Sequence, residues 1–211
     1  GLKVVSICAD YFMDYPLLQL SPKELVLALS KLEWLITISP TIGVERIVLP
    51  FVDASRMADV KDMASVVQIL CKMLPIAKDA EVELHLETDL DPEAFRSFLA
   101  DIEDPLVKVN YDAGNSSSLG YLPQDEFTAY GERIGSFHIK DRVRGGKTVP
   151  LGEGDTDFPS LRAALIDICL LYTSPRRFRA PSSKRRALPR ITMAERDERA
   201  CLSLATRRTH A

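Results

Sequence analysis

Three strand-like runs carry side chains that bind divalent metal ions: Glu87 in VELHLETD, Asp112 in VKVNYDAGN and His138 in GSFHIKD. Glu87 and Asp112 are 25 residues apart and Asp112 and His138 are 26 apart, which leaves room for one helix between consecutive strands. That spacing can bring all three groups to one rim of a parallel barrel. A Glu/Asp/His set suits Mn2+, Mg2+, Co2+ or Zn2+ with positions open for a substrate's oxygens, whereas thiolates would point to a structural zinc. A metal-dependent enzyme site is therefore the leading reading.

Taken singly, each residue has an ordinary alternative. In Tyr111-Asp112-Ala113-Gly114-Asn115, the aspartate fits a turn in which its carboxylate caps backbone amides. A lone strand histidine such as His138 is most often a hydrogen-bonded structural residue. Glu87 is harder to dismiss, because strand alternation places Glu83, His85 and Glu87 on one face and Val82, Leu84 and Leu86 on the other. If the apolar set packs against helices, the polar set points into the barrel, where a carboxylate needs a cation or donor beside it.

After His138 come Lys140, Arg142, Arg144 and Lys147, interleaved with Gly145-Gly146 and followed by VPLGEGDTDF at 149–158. Guanidinium and ammonium groups donate to anionic oxygens, so this loop could hold a sugar hydroxyl or a phosphate beside the metal. Lys147 alone reads as solvated. Neither Gly145-Gly146-Lys147 nor Gly152-Glu153-Gly154 has the spacing of a nucleotide-binding loop, so no nucleotide cofactor is inferred.

The elements that must position these groups alternate between strand-like and helix-like segments up to about residue 168, the pattern of parallel βα units. The expected strands are Lys3–Ala9, Arg46–Phe51, Glu81–Glu87, Leu106–Tyr111 and Gly135–Ile139. Ser21-Pro22-Lys23-Glu24 opens a first helix running through Trp34, with an N-cap serine and Pro at the first helical position. Apolar residues from Val60 to Leu74 recur at helical spacing, and Pro75 is expected to kink or shorten that second helix. Further helices are expected from Asp91-Pro92-Glu93, over Gln124–Arg133 and over Asp157–Ile168. Five βα units are too few for a closed (β/α)8 barrel, and an open sheet with helices on both faces is the alternative. The missing phosphate loop and the clustering of polar residues at the C-terminal ends of three strands favour a partial α/β barrel over residues 1–168.

Of 211 residues, 46% are hydrophobic, ample for a packed core, and the formal net charge is -3. That balance is uneven. From residue 171 onward, eleven basic residues face three acidic ones (+8), while the remaining 16 basic and 27 acidic residues give -11 over 1–170. An acidic body disfavours nucleic-acid binding, which needs concentrated Lys and Arg. Residues 169–211 read as a low-order basic tail without periodicity, either a solvated polyanion-binding arm or out-of-frame or adaptor-derived sequence. The four cysteines are far apart with no CxxC pair, and neither a signal peptide nor an apolar run of ~20 residues is recognised, which fits a cytoplasmic protein. Because Gly1 enters a strand-like run almost at once, the true N-terminus is expected to lie upstream.

HLET around Glu87, NYDAGN around Asp112, FHIKD around His138 and VPLGEGDTDF at 149–158 occur in an order that resembles the xylose-isomerase-like barrel superfamily. Within it, the chain is similar to the sugar-phosphate isomerase/epimerase group that includes L-ribulose-5-phosphate 3-epimerases. The resemblance covers about residues 1–168, as strands two to six. It implies one divalent metal on Glu87, Asp112 and His138, with a fourth ligand, a second glutamate of strand eight, that has no counterpart here. It implies Glu87 as ligand and acid/base, proton transfer through a metal-stabilised cis-enediolate, and substrate contacts from Asn115, Lys140 and Arg144. The implied partner is a sugar or sugar phosphate, with no nucleic acid at the body and no membrane, and the parent is compatible with a homo-oligomer. Alternatives are a lyase or dehydratase of the same barrel, or a non-catalytic binding protein using a genuine basic tail. Apurinic endonucleases share the fold but need more metal ligands and a basic track.

Overall fold

Five parallel strands lie side by side in chain order: β1 (Ser6–Cys8), β2 (Arg46–Phe51), β3 (Glu83–Thr88), β4 (Val107–Asp112) and β5 (Ile134–His138). The computed structural model describes residues 1–173, with α1 (Tyr11–Asp14), α2 (Pro22–Ile38), α3 (Val60–Ala80), α4 (Pro92–Ala100), α5 (Ala113–Leu119), α6 (Pro123–Tyr130) and α7 (Phe158–Thr173). A two-stranded antiparallel hairpin, β6 (Asp141–Arg142) and β7 (Thr148–Val149), follows β5. The sheet curls as a half-barrel, the partial TIM-barrel architecture expected from the βα alternation. Contacts divide the chain into units 1–164 and 165–211; of the second, only the end of α7 is described, and the basic tail lies outside the described residues from 174 onward.

Local signals account for most helix starts. The Glu24 carboxylate accepts from the Ser21 N–H at 2.9 Å at the head of α2, and the Asp91 carboxylate accepts from the Glu93 and Ala94 amides at 3.1 and 2.9 Å at the head of α4. The Asp59 carboxylate caps α3 through the Lys61 and Asp62 amides. Of the two outcomes expected at Pro75, shortening does not occur: α3 runs through it to Ala80. Pro75 sits on the exposed side, while buried Met73 and Ala77 keep the helix docked on either side of it. The fourth expected helix ends at Tyr130 and tightens into a 3-10 turn at Gly131–Arg133. Pro22–Ile42 is long and apolar enough to cross a membrane by length and composition, although charged residues interrupt it; here Ala28, Leu32 and Ile36 are buried and α2 packs on α3.

The two faces of the sheet have different chemistry. Ile47, Leu49, Leu84, Leu86, Val107 and Val109 form one face, sealed by buried Leu32, Ile36, Leu70 and Phe98 of the helices. The alternate positions place Glu83, His85 and Glu87 of β3 beside Lys108, Asn110 and Asp112 of β4 on the other. Strand alternation alone separates the two sets.

A β-bulge sets the phase of β5. Val109 pairs with Ile134, but Asn110 pairs with Ser136 and Asp112 with His138, so Gly135 is the extra residue. Without it the register would slip by one and Ser136 and His138 would face outward. Only glycine fits here, because a Cβ on Gly135 would lie 2.6 Å from His85 Cε1 and 2.6 Å from Lys108 Cδ. Gly135→Ala is therefore expected to lower stability by about 1–3 kcal/mol through overpacking. Urea denaturation checks this, and an unchanged midpoint would contradict it.

Candidate metal centre

β3, β4 and β5 end together, and each delivers one ligand-type side chain to the same rim. One donor atom each from Glu87, Asp112 and His138 lies within 4.8 Å of the other two. His138 Nδ1 is 3.1 Å from Glu87 Oε2 and 3.7 Å from Asp112 Oδ2. Glu87 is 6% exposed and Asp112 4%, so both carboxylates need compensation from groups at the site.

Each carboxylate is held by one set of atoms and offers another. Glu87 Oε1 accepts from Asn115 Nδ2 at 2.8 Å, and Oε2 accepts from Asn110 Nδ2 at 2.8 Å. Asp112 Oδ1 caps α5 by accepting the Asn115 N–H at 2.8 Å, as the turn reading of that segment anticipates. Its Oδ2 is buried without an aligned hydrogen bond, although Lys140 Nζ lies 2.8 Å away. The same aspartate thus serves the backbone with one oxygen and faces the cluster with the other. Burial opposes ionisation of Asp112, but His138, Lys140 and the Asn115 amide outweigh it and hold the carboxyl below its usual range. Hydrogen bonding to Asp112 and Glu87 pushes the His138 imidazole up to about 9. Burial, with Asp10 beside it, pushes the nearby Cys8 thiol far up, so the sulfur stays protonated at the rim.

A cavity of about 500 Å³ is lined by Glu87 and His138 together with Asp10, Asp53, Lys140, Arg142 and Lys147. Of the residues expected to meet substrate, Asn115 and Lys140 line it. Arg144 does not join them; it borders a separate hollow of about 100 Å³ and its guanidinium lies against Gly120, where a Cβ would come within 2.4 Å of Nη2. The arginine brought to the cavity is Arg142, which donates from Nη1 to Asn115 Oδ1 at 2.8 Å and from Nη2 to Gly146 O at 2.8 Å. Gly114 permits this approach: its Cβ would stand 2.6 Å from Lys140 Cγ and 3.2 Å from Arg142 Cγ.

The sequence reading missed Asn110 and Asp141, and named Arg142 only among the cations of the loop after His138. Asp141 is 1% exposed and accepts from the amides of Gly152 and Gly154 at 2.8 and 2.9 Å and of Thr156 at 3.0 Å. The glycines of GEGDT are the readable signal, for they leave room for backbone to wrap a carboxylate. This clamp ties the hairpin that carries Arg142 to the loop after β7.

The chain belongs to the family of xylose isomerase-like TIM barrels, whose pattern matches residues 1–171. Similar solved structures include a xylose isomerase domain protein from Planctomyces limnophilus, at 22% identity and TM-score 0.60 over 72% of this chain and 57% of that one. The IOLI protein with a bound zinc atom is similar at 17% identity and TM-score 0.64, covering 80% of this chain and 76% of its own. D-allulose 3-epimerase from Methylomonas sp. in complex with D-allulose is similar at 16% identity and TM-score 0.63, over 80% of this chain and 70% of that one. The chain thus spans little more than half the length of the Planctomyces protein. No curated protein matches it.

The Asp141 clamp has a pH signature. Burial alone would raise this carboxyl, but the Gly154, Thr156 and Gly152 contacts outweigh it and hold it at about 2. A depressed carboxyl stabilises the fold above its unfolded value of 3.8, and that contribution is lost as pH falls through about 2. Asp141→Asn is expected to destabilise the chain at pH 7 and to flatten the dependence of melting temperature on pH between those values. Parallel melting curves for the two proteins across that window would contradict it.

Proposed function

We propose that this chain is the metal-binding and proton-transferring part of a sugar or sugar-phosphate epimerase or isomerase. The observation that carries the reading is the meeting of Glu87, Asp112 and His138 within 4.8 Å at the C-terminal rim of adjacent strands. The donor set fits a divalent ion on chemical grounds: one imidazole and two carboxylates, with Asp112 Oδ2 lacking an aligned hydrogen bond. Glu87, Asp112 and His138 would hold Mn2+, Mg2+, Co2+ or Zn2+. When bound, such an ion supplies a Lewis acid that polarises a ketose carbonyl and stabilises the enediolate left by proton loss.

The chain's own residues do the rest. Asn110 and Asn115 each tie one oxygen of Glu87, so the carboxylate is oriented before substrate arrives and can take a proton from the carbon beside the carbonyl. Lys140 and Arg142 put cationic donors on the cavity wall, suited to hydroxyl or phosphate oxygens. Likeness to the D-allulose 3-epimerase fold and to a zinc-bearing neighbour supports the same class. Returning a proton to the opposite face needs a second acid, a role the family resemblance gives to a strand-eight glutamate that has no counterpart in these residues.

Proton abstraction from one face is testable on this chain. Isothermal titration is expected to show one Mn2+ or Zn2+ per chain, weakened at least tenfold in Glu87→Gln and Asp112→Asn, as loss of a metal ligand requires. In D2O with Mn2+, the chain is expected to exchange the C3 proton of one of the two C3 epimers D-allulose and D-fructose and not the other, seen by NMR, and to stop on chelation. No ion bound, or exchange that survives both chelation and Glu87→Gln, would overturn the reading.

A further inference from the structure

We infer that Asn110 is, beside Asn115, a positioning residue of this centre, and that its carboxamide is set from below by a buried strut made of His85 and Ser136. The inference rests on the metal-centre reading of the site and adds how its glutamate is held. His85 is fully buried, 0% exposed, in the interior face one pleat below Glu87. Its Nδ1 lies 2.6 Å from Ser136 Oγ, and its Nε2 lies 2.8 Å from Glu83 Oε2. Glu83 is in turn anchored by Lys108. Ser136 Oγ donates to Asn110 Oδ1 at 2.6 Å.

That last bond decides which way the amide faces. With Oδ1 committed to the Ser136 hydroxyl, the NH2 end must point to the rim, where it is 2.8 Å from Glu87 Oε2 and 3.1 Å from His138 Nδ1. A flipped amide would set oxygen against the Glu87 carboxylate; in the observed orientation the single Ser136 hydroxyl proton goes to Asn110 Oδ1, so His85 Nδ1–H is the donor to Oγ. The strut at one end and the Glu87 carboxylate at the other thus select the same one of two orientations that are nearly equal in shape. It joins three strands, β3 through His85, β5 through Ser136 and β4 through Asn110, so Glu87 and His138 inherit their relative position from side chains as well as backbone. The Gly135 bulge is what lets Ser136 reach inward to complete it. Groups that orient metal ligands typically change affinity by about 10–100-fold when removed.

Two substitutions at position 85 separate positioning from packing. An Asn side chain keeps a donor where His85 Nδ1 stands, and a Gln side chain keeps one where Nε2 stands. His85→Asn is expected to retain Zn2+ affinity within about threefold of the original chain, while His85→Gln and Asn110→Ala lose about tenfold or more. In the metal-free chain, the side-chain amide resonance of Asn110 in a 15N–1H spectrum is expected to stay in place in His85→Asn and to move in His85→Gln. Ser136→Thr, which keeps the hydroxyl, and Ser136→Ala, which removes it, give the same contrast should a position-85 variant fail to fold. Equal behaviour within each pair, in both readouts, would overturn the inference. If the unaltered chain binds no ion, the metal reading falls, and the amide resonance alone decides whether the strut exists.

Discussion

Two carboxylates, Glu87 and Asp112, are buried at one end of a parallel sheet within reach of one imidazole, and most of the inner architecture answers the cost of placing them there. An unpaired buried carboxylate is costly enough that the surrounding fold must supply donors or a cation. Here Asn110 and Asn115 supply donors to Glu87, while Lys140 and the head of α5 serve Asp112. Below them, Lys108, Glu83, His85 and Ser136 continue the polar column instead of an apolar barrel filling. The apolar work of folding is left to the opposite face, where leucines, valines and helix side chains close the core.

Glycines decide how close the pieces come. Gly135 phases β5 so that His138 and Ser136 turn inward, Gly114 lets the hairpin approach α5, and Gly154 lies so near Asp141 that a Cβ there would meet its Oδ1 at 2.3 Å. The result is a rigid rim of strand ends under a cationic hairpin, each tied by different bonds. A site so built places chemistry on strands and adaptability on the loops above them.

Much of this was legible in the residues. Glu87, Asp112 and His138 stood out because hydrophobic runs ended on them at βα spacing, and alternation in β3 put Glu83, His85 and Glu87 on one face. Cap residues Ser21 and Asp91 marked helix starts because their signals are local. What stayed hidden depended on register. Asn110 is one more polar residue in a strand until the bulge at Gly135 pairs it with Ser136. Asp141 reads as part of a charged loop until three amides close around it. Arg142 and Arg144 differ by two positions, and only the end of β6 at Arg142, with Arg144 in the turn beyond it, separates the one that lines the cavity. Pro75 does not end α3, because its local penalty is outweighed by packing at Met73 and Ala77.

The most direct measurement of the central claim is X-ray absorption on the chain loaded with one equivalent of Zn2+. The account predicts a shell of nitrogen and oxygen at about 2.0–2.2 Å with one imidazole and no sulfur. A sulfur shell, or a spectrum of the hydrated ion alone, would contradict it.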